Sequence, residues 1–504
     1  MKKFVRGLLT VAIVATAVSG SPATPQASAA WCKAAPSLSS NATLTHVTTY
    51  STGATFDYYT LPPGITTSNY PTRLSVFKGD LNDYQMSNPH SLFGQTGNQR
   101  VFANSVPRLA TYVNTDFIGV NNMPYSAVIS GGKMIYSPAA GSIGVNGGST
   151  RVLGWGRWAV PEADGIAKVS NLSNSSATVA VAGVNLRAIP SSSVIAYTAK
   201  YPTATTPRGA YAILVSGGRV TRAFPRGTAS RPASGSIVFQ AVGAGVGRLK
   251  RFLVGRPAKY TVPTSMQNHL VAETVAPTGY VRIGSTNLPI KAINFEGANP
   301  SGANVYDSNF GGTQTVGAAT FLTDLNGVVT AASPSRGVRY TLSSSRMVFQ
   351  VASDFAYLVS SLKVGQKLTV VNRYSTAGHN NITEASGRGS LLLVDGNNVE
   401  KCSGTVEDIR PRTAIGWNEK GAFWVATTTM GQSWNDGGYR LGGSTVHQLG
   451  DWLKSMGATQ AVSFDGGGST TQFITLNGAV SRQDLPENEW IRDIPVGMAF
   501  SPMN

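Results

Sequence analysis

The chain has 504 residues, 41% of them hydrophobic and 13% charged, with 56 Gly and 26 Pro. At ~100–200 residues per domain this predicts two to four domains and a sizeable core, which excludes disorder of the whole, and the Gly and Pro content favours short strands and turns over long salt-bridged helices. The net charge of +17 predicts attraction to a polyanion, whether nucleic acid, anionic membrane or acidic wall polymer, without choosing among them.

Residues 1–29 read as a signal peptide: Lys2, Lys3 and Arg6 precede an apolar run from Leu8 to Val18, and Ala27-Ser28-Ala29 supplies a small-residue cleavage pattern. Export follows, and loss of those three charges lowers +17 to +14. No later apolar stretch reaches the ~18–20 residues of a membrane helix. Trp31 stands before Cys32 where a lipoprotein signal needs a small residue, so a secreted or wall-associated chain without a lipid anchor is expected. The other cysteine is Cys402, and two cysteines in an oxidising compartment are expected to form a Cys32–Cys402 disulfide. No CxxC or HxxxH spacing marks a metal site. His379 and His447 read as surface or packing residues. No cofactor is called for, and a metal requirement and the oligomeric state stay open.

Residues 30–97 are rich in Ser, Thr and Ala at their start and read as a lead-in ordered against the body. From 98, Asn104-Ser105-Val106-Pro107 reads as a helix start. Ala110-Thr111-Tyr112-Val113 then reads as a strand delivering Asn114 and Asp116 at its end. Residues 181–262 and 280–372 read as two copies of one small β-rich unit. Val184-Asn185, Gly217-Gly218-Arg219-Val220, Val238-Phe239-Gln240 and Val254-Gly255 match Ile293-Asn294, Asn326-Gly327-Val328-Val329, Val348-Phe349-Gln350 and Val364-Gly365, with 70 residues from Asn to Gly in one and 71 in the other.

Over 380–504 the signals sharpen. Leu391–Val394 with Asp395-Gly396-Asn397 reads as a strand and hairpin turn, and Thr413–Trp417 with Gly421–Ala426 as a second hairpin. Ser444 reads as an N-cap, Val446, Leu449, Leu453 and Met456 lie on one helical face, and Gly457 is placed at C′. Ala461–Phe464 then reads as a buried strand ending in Asp465, followed by Gly466, Gly467, Gly468, Ser469, Thr470 and Thr471. A strand fixes the acid, glycines bare the backbone N–H groups, and the types suit a phosphate or a sugar. The fold class expected is α+β: a β-rich mixed-sheet core with few helices, plus the two duplicated units.

PRTAIGW at 411–417, Met456-Gly457-Ala458, SFDGGGSTTQF at 463–473 and LNGAV at 476–480 follow one another as in the phosphodiester glycosidase family, which this sequence resembles. That family includes the enzyme that removes N-acetylglucosamine from a phosphodiester-linked mannose. The likeness is strong over about 380–500 and fainter over 104–260, so 98–180 and 380–504 would be the two halves of one such domain. By resemblance Asp465 is the family's DGGGS aspartate, Arg412 its Pro-Arg-Thr arginine, Asn114 and Asp116 its first-motif pair, and Arg492 the arginine of the closing strand. Met430-Gly431-Gln432 replaces the family's Asp-Gly-Arg, and in Ser386-Gly387-Arg388-Gly389 an arginine replaces one residue of the family's plainer glycine run.

The resemblance implies hydrolysis at the anomeric carbon of a sugar 1-phosphodiester, where phosphate leaves readily and needs charge stabilisation more than a proton. Arg412, helped by Arg492 or Arg388, would clamp the phosphate, with Asp465 or Asp116 as nucleophile or base. Asn114, Gly466, Gly467, Gly468, Ser469 and Thr470 would line the substrate. A structural Arg412 pairing with Glu407 or Asp408 is the alternative. Expected partners are a phosphorylated glycan or teichoic-type polymer, with no nucleic acid, since no clustered basic and aromatic stretch is present. The rival reading is a non-catalytic exported module that binds an anionic wall polymer.

Overall fold

The computed structural model describes residues 32–503 except 33, 67–69, 94, 120–121, 138–149, 162–166, 172–177, 182, 185–188, 190–192, 198–203, 226–227, 234, 262–263, 296–300, 311–312, 317–318, 335–337, 377–378, 380, 401–407, 431–441 and 485–490. The expected signal peptide, Asn185, Cys402, Glu407, Gly431 and Gln432 lie outside the described residues. Strands dominate and helices are few and short. Among the described residues no helix is long and apolar enough to cross a membrane.

An eight-stranded sheet runs in the order Thr43–Thr49, Thr55–Leu61, Thr72–Asp80, Ala422–Met430, Arg412–Trp417, Gln460–Ser463, Leu391–Val394, Asn397–Asn398. A five-stranded sheet runs Ala479–Arg482, Gln472–Leu476, Thr111–Asn114, Gly497–Pro502, Tyr84–Ser87. Every pairing in both is antiparallel. These two sheets are thus antiparallel, and the parallel pairs of the expected mixed sheet lie at Gly183–Val184 with Val194–Tyr197 and at Thr286–Ile293 with Ala303–Tyr306. Tight turns explain part of the antiparallel pairing: Asp395 and Gly396 (φ 51° and 74°) and Asn477 and Gly478 (φ 51° and 79°) take the left-handed region that two-residue hairpins require. Phe56, Phe77, Tyr84, Phe423, Phe464 and Phe500 pack in the core shared by the two sheets. The 30–97 stretch is integral to them, since Thr72–Asp80 pairs along its whole length with Ala422–Met430.

Helix Val446–Ser455 covers the other face of the larger sheet through Leu449, Trp452 and Leu453. Its N-cap is Thr445 rather than Ser444, with a capping box to Gln448, and Gly457 follows the C-cap at φ 104°. The helix expected to start at Asn104 is corrected: it is Gln99–Ser105, capped by the Asn98 side chain on the N–H of Arg100, and it ends at Val106. Pro107 lies beyond that end, where it cannot continue a helix.

A six-stranded sheet, Tyr374–Thr376, Thr264–Pro277, Arg151–Pro161, Ile382–Gly387, Val128–Ser130, Lys133–Tyr136, carries the two inserted regions. The long antiparallel pair Arg151–Pro161 and Thr264–Pro277 closes off one insertion, and the pairing of Val275 with Thr376 closes off the other. Within the first, strands Val194–Tyr197, Tyr211–Ser216, Arg219–Phe224 and Ser236–Ala241 lie in the spatial order first, fourth, second, third. Within the second, Ala303–Tyr306, Ala319–Asp324, Val329–Ser333 and Arg346–Val351 lie in that same order.

Candidate active site

The buried residues Ala461 and Val462 hold Gln460–Ser463 between Arg412–Trp417 and Leu391–Val394. The chain then leaves the sheet: the Phe464 N–H donates to Thr413 O at 2.9 Å, and that of Asp465 to Thr115 O at 3.0 Å. Glycine is needed next. A Cβ on Gly466 would lie 2.8 Å from Pro411 O, and Gly467 opens a short 3₁₀ turn, Gly467–Ser469, at φ 63°. Gly468 is the middle residue of that turn. Asp465 is half-buried and accepts from the Gly466 N–H at 2.9 Å. Burial pushes its pKa up, and Ser469, Arg492 and Arg412 pull against that.

Asn114 clamps the two main sheets together. Its side chain donates to Asp465 O at 2.7 Å and accepts from the Thr413 hydroxyl at 2.6 Å and from the Thr471 N–H at 3.3 Å. Asp116, two residues on, is 1% exposed. One carboxylate oxygen accepts from the Phe117 N–H at 2.8 Å and the Ser126 hydroxyl at 2.9 Å, and the other from the Ser126 N–H at 2.5 Å. Desolvation nevertheless raises its pKa from 3.8 to about 7, with the Asp465 charge adding to the rise. Gly387 makes room for this carboxylate, since a Cβ there would lie 2.4 Å from Asp116 Cγ.

Arg412 donates to Asp408 O at 2.8 Å and to Ser444 O at 3.4 Å, while Arg410 takes the Asp408 carboxylate at 2.5 Å. The Asp408 carboxylate is therefore held by Arg410. Arg492 is exposed and donates to the Ser469 hydroxyl at 3.4 Å. Thr470 is buried, and its hydroxyl has no hydrogen-bond partner. Arg388 faces elsewhere: it is buried, bonds Gly389 O at 3.0 Å, and has Arg151 and Glu273 as its charged neighbours, with burial pushing its pKa down to about 10. Arg412, Arg492 and Ser469 thus lie within reach of Asp465, and Asp465 within electrostatic reach of Asp116, with Asn114 behind them. His379 binds Glu273 at 2.5 Å and His447 lies 3.5 Å from Asp451. Among the described residues no three His, Cys, Asp or Glu side chains gather as a metal set.

Three contributors escaped sequence reasoning. Gln99, fully buried, donates to Ser469 O at 3.2 Å and to Arg492 O at 2.9 Å, so it holds the acid's loop to the arginine's segment. Ser126 supplies two of the three hydrogen bonds to Asp116, and Gly387 supplies the space. The Asn98 cap just before Gln99 was the one local sign of that helix.

The fold and site define a β-rich protein with an acid at a strand end flanked by arginines. Residues 319–501 match the family model of phosphodiester glycosidase, which shows the resemblance to that family over this part of the chain. The match contains Arg388, Arg412, Asp465 and Arg492, while Asn114 and Asp116 lie before it. The sequence matches none of the curated proteins. Among solved structures, a hypothetical protein from Synechocystis superposes with a TM-score of 0.50 at 14% identity, over 91% of this chain and 63% of that one. This chain therefore covers less than two thirds of that protein's length. A Burkholderia pseudomallei protein gives a TM-score of 0.46 at 14% identity, over 86% and 75% of the two chains. The zebrafish N-acetylglucosamine-1-phosphodiester alpha-N-acetylglucosaminidase catalytic domain gives 0.31 at 9% identity, over 91% and 87%.

Proposed function

We propose that the protein is an exported glycosidase that hydrolyses the anomeric C–O bond of a sugar 1-phosphodiester in an anionic cell-wall or extracellular glycan. The observation that carries this reading is Asp465, a half-buried acid with Arg412, Arg492 and Ser469 around it on a glycine-bared loop. The arginines hold the phosphate and take up the negative charge that grows on it as the C1–O bond breaks. Asp465 acts at the anomeric carbon, as nucleophile or as base on the water that ends up bonded to C1. Free sugar and a phosphomonoester are the products. Asp116 is a positioning residue in this scheme, because its oxygens are sealed from solvent and occupied.

The same reading takes 181–262 and 280–372 as two copies of one unit. The shared strand order supports it, as do matched hydrogen bonds: Gly255 N to Val220 O at 2.7 Å in one and Gly365 N to Val329 O at 2.8 Å in the other. The Cys32–Cys402 disulfide belongs to it as well, resting on the two-cysteine count and expected export.

Phosphorus and proton NMR with a panel of sugar 1-phosphodiesters and teichoic-type polymers tests the function. Release of free sugar with a phosphomonoester by the wild type, and none by Asp465→Asn, is the expected result. Binding of the polymers without any turnover would favour the non-catalytic wall-binding module instead.

A further inference from the structure

We propose that Phe117 and Tyr125 form an aromatic wall against which the sugar ring of the substrate lies, so that the site divides its ligand into a phosphate half held by arginines and a pyranose half held by rings. The proposal rests on the functional reading above and deepens it.

The two side chains are 39% and 41% exposed, whereas Phe77, Tyr84, Tyr112 and Phe473 of the neighbouring sheets are fully buried. Their ring centroids lie 6.2 Å apart at an interplanar angle of 76°. The backbone fixes them in place from both sides. The Tyr125 N–H donates to Phe117 O at 3.0 Å, the Gly119 N–H donates to Met123 O at 2.8 Å, and Ile118 bridges Pro124. Asp116 finishes the closure by accepting from the N–H groups of Phe117 and Ser126, the residues that begin and follow this loop. The rings are therefore anchored through the buried carboxylate.

Phe117 also stands near the acid's segment, since the Asp465 N–H donates at 3.0 Å to Thr115 O, two residues before Phe117. A Cβ on Gly389 would meet Ser463 Oγ at 2.8 Å and Phe117 Cε2 at 3.6 Å, so the Phe117 ring and Ser463 border one point, and Ser463 ends the strand from which the chain runs on to Asp465. Two half-exposed rings held against each other near a polar site offer a preformed apolar surface to a ligand. A pyranose face, a patch of C–H groups with slight positive charge, suits the negative face of an aromatic ring. Neither ring offers a charge, which fits a neutral sugar better than a second phosphate.

Saturation-transfer NMR with glucose 1-phosphate and N-acetylglucosamine 1-phosphate, together with steady-state kinetics on any diester the protein turns over, tests the wall. Saturation should reach the sugar C–H protons in the wild type and be lost in Phe117→Ala and Tyr125→Ala. In kinetics, Tyr125→Ala should raise KM about tenfold with little change in kcat, and Tyr125→Phe should restore it, because the ring face and not the hydroxyl does the binding. Should the wild type hydrolyse a diester with KM unmoved in both alanine variants, the wall is overturned while the functional reading stands. Should no diester be hydrolysed, transfer that depends on both rings still supports the wall, and transfer that ignores them, or none at all, overturns it.

Discussion

Asp116 shows how little room a single side chain leaves. Its carboxylate is satisfied by three donors yet so buried that its pKa rises from 3.8 to about 7. A folded-state pKa above the unfolded one means that the folded form binds the extra proton across that window. Stability from this group is then full below pH ~4 and is lost as pH rises towards ~7, by about 4 kcal/mol in all. Urea titrations from pH 4 to 8 should show that slope in the wild type and its loss in Asp116→Asn. At pH 4, where the wild-type carboxyl is protonated, the variant should be weaker by about 1–3 kcal/mol, because its amide turns a donor towards an N–H that needs an acceptor, and the gap should close as pH rises to 7. Gly387→Ala tests the same spot from the other side. A methyl 2.4 Å from Asp116 Cγ has no space, so the substitution should cost about 1–3 kcal/mol or more by urea midpoint. In turnover assays Arg412→Lys should fail badly, since an ammonium cannot reproduce the planar grip on a phosphate.

At the scale of elements, Asn114 is where two sheets are tied together. Strand Thr111–Asn114 belongs to the five-stranded sheet, while Thr413 and Asp465 belong to the eight-stranded one and its exit loop. Asn114→Ala deletes three hydrogen bonds in a buried place, an expected cost of about 2–4 kcal/mol in urea unfolding. Turnover should fall too, because Asp465 would lose the bond that holds its backbone carbonyl. Helix Val446–Ser455 contributes differently, through its capping box and apolar face. Thr445→Ala should lower stability by about 1 kcal/mol. Elements governed by neighbours in sequence were legible beforehand: the Asn477-Gly478 hairpin, the Gly457 stop and the strand that ends in Asp465 all follow from local patterns. The start of helix Gln99–Ser105 is ambiguous in the sequence because Asn98, Asn104 and Ser105 all look like caps, and the tertiary contacts of Gln99 and Phe102 show which end is which. Asp116 was recognisable as a site acid, but its sealing by Ser126 and Gly387 was not, since those partners lie 10 and 271 positions away.

For the whole molecule, a positive charge of +17, or +14 without residues 1–29, should draw a polyanionic substrate from a distance. Binding of a teichoic-type polymer should weaken severalfold between 50 mM and 500 mM salt, about the range over which the Debye length shrinks towards contact distance. Isothermal titration at the two salt levels would measure it. Strand Gly497–Pro502, the last in the sequence, has a further consequence. It does not lie at an edge; it is inserted between Thr111–Asn114 and Tyr84–Ser87. Until it arrives, both of those strands carry an open edge, and the sheet that bears Asn114 and leads to Asp116 is split in two. The loops to be closed before that event span hundreds of residues, which makes it an entropically late step of folding. The candidate site is therefore assembled only once Gly497–Pro502 has slotted between those two strands.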